Sequence, residues 1–316
     1  MLYFSFKIFE IQMANRMVIT NFVPMQFKHL SQKFINDLNA IYHQDEAQAM
    51  FLITLQHFLE LNRAAYLLNK DKEVSPEELS RFEAVLSELL KGKPLQYILG
   101  ETYFYGLKFK VNSSVLIPRP ETEELVDWII SVCSSKNIVN HQSSIVNLID
   151  IGTGSGCIAI SLKKNLLNTR VYALDIAADA LETAKQNAVL NSVEVDFIQD
   201  DILKSQYAIC NTEYDIIVSN PPYIKEDEKS AMHHNVLANE PYQALFVSNE
   251  NPLIFYDAIA EFALKNLTKN GCLFFEINEF LGQQTVNLLK DKGFINIELR
   301  KDMQGKDRMI KASLLV

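Results

Sequence analysis

Cysteine is scarce: Cys133, Cys157, Cys210 and Cys272 are the four in 316 residues. None forms a C-x-x-C pair, so neither a disulfide framework nor a zinc site is suggested, and a reducing, cytoplasmic compartment fits. No apolar run reaches the roughly 18 residues of a membrane-spanning helix. Basic residues are in deficit, 30 Lys and Arg against 39 Asp and Glu, and the net charge of −9 argues against a general nucleic-acid binder. Internal repeats and low-complexity tracts are absent, and the histidines lack ligand spacing, including the pair His233-His234, so no metal site is expected. The apolar start, Met1 to Ile11, is broken by Lys7 and Glu10 and lacks the order of a signal peptide. Met13, Met17 and Met25 follow closely, so residues 1–24 read as an extension, either loosely ordered or the product of a start placed too far upstream.

What is present is the composition of a soluble globular protein, 48% hydrophobic and 22% charged, at a length that favours two domains. Glycine is missing altogether from Phe27 to Leu90, where the pattern is helical. Met50, Phe51, Leu55, Phe58 and Leu59 recur at three- and four-residue spacing. Ser75-Pro76-Glu77-Glu78 has the form of a helix start with a capping box, followed by the stripe Leu79, Phe82, Val85, Leu86, Leu89 and Leu90. Residues 25–93 therefore read as a small helical bundle. Glycines and aromatics then gather, and the alternation of Leu107-Lys108-Phe109-Lys110-Val111 makes residues 94–118 a β-hairpin linker. Over 119–316, short apolar runs alternate with helical stretches near 157–167, 178–190, 252–268 and 280–292. This is an α/β pattern: a Rossmann-like, mainly parallel sheet, closed by Ile295–Leu299 and Met309–Leu315 as a final antiparallel hairpin.

Two strand ends carry the chemistry. Asp150-Ile151-Gly152-Thr153-Gly154-Ser155-Gly156 follows the first strand and opens a helix, with glycines that bring backbone N–H groups close to a ligand. Asp175 ends the second strand, placed for ribose hydroxyls, and Asp200-Asp201 follows the third. A dinucleotide site shares these features, but the spacing is G-x-G-x-G and the G-x-G-x-x-G fingerprint is missing. Asp150 suits a ligand with an ammonium group and no phosphate; S-adenosylmethionine has both the ribose and the ammonium. The second strand end is Asn220-Pro221-Pro222-Tyr223 after Tyr214–Ser219. An Asn carbonyl, a proline that pushes its predecessor out of the helical region, and an aromatic wall suit a planar NH2 group. On these residues alone a plain proline-rich turn, an adenine amine and a protein amide all stay open.

Asp150–Gly156 together with Asn220–Tyr223 resembles the class I S-adenosylmethionine-dependent methyltransferases. Gly92–Gly100, Val115–Glu123, Glu240-Pro241 and Ala244-Leu245 narrow the likeness, over about residues 30–316, to the HemK/PrmC release-factor glutamine methyltransferases. The resemblance implies methylation of the side-chain amide nitrogen of glutamine in the Gly-Gly-Gln motif of peptide-chain release factors, with S-adenosylhomocysteine as product. It implies that Asp150, Gly152, Thr153, Gly154, Ser155, Gly156, Asp175, Asp201, Ile202 and Asn220 bind the cofactor. Ile202 stands where the family often has Trp. Asn220, Pro221, Pro222 and Tyr223 hold the glutamine, with Asn220, Pro221 and Tyr223 catalytic. Arg119 is either part of the helix start at Pro120 or a substrate-side residue shaping the pocket's lid. The helical bundle would recognise the protein substrate; no nucleic acid, no membrane and a monomer are expected. Phe246–Asn251 lacks a glycine the family carries, which predicts a loop difference. A ribosomal-protein glutamine methyltransferase is the nearest rival; a DNA or RNA adenine methyltransferase and a non-catalytic protein of the same fold are more distant ones.

Overall fold

A computed structural model describes residues 25–135, 145–204, 212–232 and 234–314; the extension at 1–24, Cys210 and His233 lie outside the described residues. The chain divides after Lys91 into two compact units. In the first, α1 (Phe27–Leu38), α2 (Gln44–Leu59), α3 (Arg63–Asn69) and α4 (Pro76–Leu90) surround a core of Phe34, Phe51 and Phe82. The Phe51 ring sits 5.7 Å from Phe34 and 5.6 Å from Phe82. The capping box at Ser75 and Glu78 is formed, satisfying two otherwise unpaired N–H groups at the start of α4. The stripe is narrower than expected. Phe82, Val85, Leu86 and Leu89 are buried, but Leu90 falls one residue off the face and is exposed, and Phe58, Leu59 and Leu79 are half-buried.

The second unit begins with a short helix inside the expected linker, α5 (Leu95–Leu99), started by Pro94 and ended by Gly100 in the left-handed region. Strands β1 (Glu101–Phe104) and β2 (Leu107–Lys110) follow as an antiparallel hairpin, turned by Tyr105 and Gly106 at φ of 49° and 73°. The hairpin is no free tether. Phe104 and Phe109 enter the same apolar core as the sheet. The elements after it are α6 (Pro120–Ser135), β3 (Val146–Ile151), α7 (Cys157–Asn165), β4 (Thr169–Asp175), α8 (Ala178–Leu190), β5 (Asp196–Gln199), β6 (Tyr214–Ser219) and β7 (Ile224–Lys225). A 3-10 turn at Glu226–Ala231 leads to α9 (His234–Asn239), α10 (Tyr242–Leu245), β8 (Phe246–Val247), α11 (Ile254–Asn266), β9 (Leu267–Glu276), α12 (Gly282–Asp291), β10 (Phe294–Lys301) and β11 (Asp307–Leu314).

Seven strands form one sheet in the order β10-β11-β9-β6-β3-β4-β5. β5, β4, β3, β6 and β9 are parallel, and β11 and β10 close the edge antiparallel, as the sequence predicts. Successive residues point to opposite faces. Leu148, Ile216, Val218 and Phe274 pack with α6 and α7, while Ile149, Ile217, Leu273 and Phe275 pack with α11 and α12. Burial on both faces explains why these strands read as continuous apolar runs. The chain moves outward from β3 to β5 and then returns to β6 beside β3, so the loops after β3 and β6 diverge at the carboxyl edge and leave a crevice. The glycine-free segment at 246–251 opens as β8, which pairs in parallel with β7 just beyond Tyr223. Among the described residues no helix is long and apolar enough to cross a membrane.

Candidate active site

A cavity of about 380 Å³ opens at that crevice, lined by residues of the loops after β3, β4, β5 and β6 and by Pro241–Ala244. Gly152, Thr153, Gly154, Ser155, Asp175, Asp201, Ile202, Asn220, Pro221, Pro222 and Arg119 all face it. Gly152 and Gly154 hold φ of 75° and 54°, and a Cβ built on either meets no protein atom within 4 Å. The glycines thus keep open space beside the backbone. Asp175 shapes the turn as well as lining it: one carboxylate oxygen accepts from Gly154 N (2.8 Å), the other from Ala177 N (2.9 Å). Burial raises its pKa, against the pull of those backbone donors.

Asp150 and Gly156 are not among the lining residues. Asp150 is fully buried behind the cavity wall, where one oxygen accepts from Thr153 Oγ1 (2.6 Å) and Ala159 N (3.2 Å). It holds the turn in shape. Desolvation pushes its pKa up to about 7, with the Thr153 and Ala159 donors opposing. Gly156 lies behind the wall too. At φ 81° it starts α7, and a Cβ there would come within 2.9 Å of Ile160 and 3.1 Å of Ala184. Its lack of a side chain serves helix packing.

A second, smaller cavity of about 160 Å³ shares Leu116, Arg119, Asn220, Pro221 and Ala244 with the first. Its remaining wall is mostly apolar, with Ile224, Met232, Val236 and Leu245, and carries the polar groups of Tyr223 and Glu276. The two cavities meet at Asn220–Pro221.

Behind that junction runs a chain of hydrogen bonds that sequence reading did not anticipate. Asn220 Nδ2 donates to Thr122 Oγ1 (3.3 Å), and Thr122 Oγ1 donates to Glu276 Oε2 (2.7 Å). Tyr223 Oη donates to the other Glu276 oxygen (3.1 Å), and Asn278 Nδ2 donates to the Tyr223 carbonyl (3.0 Å). Burial raises the Glu276 pKa, while Thr122, Arg308 and Tyr223 favour the charged form. The one available signal was a carboxylate between Phe275 and Ile277 in an apolar strand. Arg119, at the start of α6, donates to Glu240 Oε1 at 2.6 Å, and the Glu240 side chain is 1% exposed. In the sequence Glu240 stands out only beside Pro241; in the fold it anchors the arginine that faces both cavities. Among the described residues no group of three or more His, Cys, Asp or Glu could hold a metal ion.

The PrmC N-terminal domain family matches residues 29–100, and the Methyltransferase small domain family matches residues 135–251. A relative from Flavobacterium psychrophilum, a release factor glutamine methyltransferase, is 48% identical over 92% of this chain and 99% of its own length. The chain belongs to the release factor glutamine methyltransferase family. Family members of the same name from Bacteroides thetaiotaomicron and Lactococcus lactis are 41% and 40% identical, covering 87% and 79% of this chain and 96% and 88% of their own. Among solved structures, the hMettl16 catalytic domain shares the fold at a TM-score of 0.53 and 15% identity, covering 93% of this chain and 94% of that one. The chain is a methyltransferase built on the mixed seven-stranded sheet already described.

Proposed function

We propose that this protein transfers a methyl group from S-adenosylmethionine to the side-chain amide nitrogen of the glutamine in the Gly-Gly-Gln motif of peptide-chain release factors, in the cytoplasm. The observation that carries the reading is the meeting of two cavities at Asn220–Pro221: a larger one beside a glycine turn and carboxylates, and a smaller one with apolar walls and a polar end. The donor set of the larger cavity fits the cofactor. Gly152–Ser155 offer open space beside the backbone, their turn held inward by Leu174 and Asp175, while Asp175 and Asp201 offer acceptors to hydroxyl and amino groups, and Ile202 offers an apolar surface for a base. S-adenosylmethionine supplies an activated sulfonium methyl, so the protein's work is alignment.

The smaller cavity takes the glutamine side chain, its methylenes against Ile224, Met232, Val236 and Leu245. The Asn220 side-chain oxygen and the Pro221 carbonyl accept the two amide N–H bonds, and Tyr223 packs on the amide plane. That pose turns a nitrogen face toward the methyl and stabilises positive charge as it develops. The nitrogen–methyl bond forms as the sulfur–methyl bond breaks, the electron pair returns to sulfur, and the nitrogen's extra proton leaves to solvent. Asp150 and Gly156 act from behind by shaping the turn. Arg119 closes the space between the cavities, and the helical unit at 25–91 engages the release factor. The test is transfer of labelled methyl from S-adenosylmethionine to a purified release factor, with a target Gln→Ala form, ribosomal proteins and adenine-containing DNA as parallel substrates. Methylation confined to the factor's glutamine is expected; labelled DNA or labelled ribosomal protein with an unlabelled factor would sink the reading.

A further inference from the structure

We infer that Thr122 and Glu276 decide which end of the Asn220 amide meets the substrate, and that they thereby make the site select a carboxamide over a carboxylate. The inference rests on the function proposed above. The two ends of an asparagine side chain have nearly the same shape, so only their partners fix the orientation. Thr122 Oγ1 lies 2.7 Å from Glu276 Oε2 and 3.3 Å from Asn220 Nδ2. A hydroxyl has one proton, and at 2.7 Å the Thr122 hydroxyl donates it to Glu276 Oε2. The Thr122 proton is therefore committed to Glu276, and toward Asn220 the oxygen can only accept. Asn220 must present its amino end to Thr122, which leaves its oxygen as the end that meets a ligand. Tyr223 Oη donates to the second Glu276 oxygen, so Glu276 accepts from both sides.

The consequence is chemical selectivity. A glutamine NH2 brings donors to the free Asn220 oxygen. A glutamate side chain brings only acceptors, and acceptor faces acceptor in a half-buried site. Without the Thr122 hydroxyl the two amide orientations become equivalent, and glutamate is no longer turned away. Thr122 and Glu276 act on the amide through Asn220 as positioning residues, although Glu276 also borders the smaller cavity.

The experiment compares wild type, Thr122→Ser and Thr122→Val as full-length proteins, with a purified release factor and its target Gln→Glu form. Thr122→Ser keeps the hydroxyl and is expected to stay near wild-type kcat. Thr122→Val keeps the shape and is expected to lose roughly tenfold in kcat, about the worth of one hydrogen bond, with S-adenosylmethionine affinity unchanged. The Gln→Glu factor, a poor competitor of wild type, should compete roughly tenfold better against Thr122→Val, by the same reckoning. A role in packing alone predicts the reverse order, Val better than Ser, and that order would overturn the inference. So would a Thr122→Val enzyme with wild-type kcat and discrimination. If Thr122→Val fails to bind cofactor, wild type still decides: Gln→Glu factor binding as tightly as the native factor overturns the polarity argument, and markedly weaker binding upholds it. Absence of transfer by wild type to the native factor strikes the functional reading instead, which keeps the two failures apart.

Discussion

The loops after β3 and β6 sit side by side at one sheet edge and are built on opposite principles. Gly152–Gly156 depends on backbone freedom, with three positive-φ glycines and N–H groups mostly tied inward, Gly152 and Thr153 to the Leu174 carbonyl, Gly154 to Asp175 and Gly156 to the Thr153 carbonyl. Asn220–Tyr223 removes that freedom with two prolines and presents acceptors. Each is braced by a buried carboxylate: Asp150 through Thr153 and Ala159, Glu276 through Thr122 and Tyr223. A site that must leave room for one ligand and present acceptors to another divides the tasks between two loops, each with its own brace.

Substitutions can break this division one loop at a time. Asn220→Ala should have the largest effect, a fall in kcat on the order of a thousandfold, as for removal of a preorganised polar group, with cofactor affinity within about threefold by isothermal titration. Gly154→Val puts a β-branched side chain at φ 54° and into the open space of the larger cavity. Cofactor Kd should rise roughly a hundredfold, measured the same way, from about 3 kcal/mol of strain and lost room. Gly156→Ala meets Ile160 and Ala184 instead, so thermal unfolding should show a loss of about 1–3 kcal/mol with cofactor Kd nearly unchanged. A weakened Kd in that variant would put Gly156 back among the ligand contacts.

The brace under the glycine turn also bears on pH dependence. Asp150 keeps its proton up to about pH 7 in the fold, against a model-peptide value of 3.8. The folded state therefore binds the proton more tightly than the unfolded chain. Stability from this group is fully present below the unfolded pKa and is lost as pH rises toward the folded one. Melting temperature should fall between about pH 4 and 7, and Asp150→Asn should flatten part of that slope. An unchanged slope in the variant would assign it to other buried carboxyls such as Asp175 and Glu276, which are shifted the same way.

Much of the sheet was legible because its strands are buried on both faces and stand out as apolar runs. Tyr214–Val218 was placed within one residue, and the helix at 178–190 was placed end to end. Both loops were legible because their chemistry is local. The braces were not. Thr122 and Glu276 are 154 residues apart and meet only when α6 packs beside β9. Asp150 was legible only in part: a carboxylate beside a glycine turn reads as a ligand contact, and burial reveals that it also serves the turn. The short α5 was hidden in a glycine-rich stretch whose aromatics favoured a strand reading. The second cavity needs Met232, Val236 and Leu245 from a segment with no strong periodicity.

Asn187, fully buried on α8, takes the Lys110 N–H (2.6 Å) and gives its own amide hydrogens to the Lys110 carbonyl (3.0 Å) and the Ser155 carbonyl (2.9 Å). One side chain thus fastens the hairpin and the glycine turn to the same helix. The two should loosen together, so in native-state hydrogen exchange the amides of β2 and of the turn should share one opening free energy despite lying some forty residues apart in the chain.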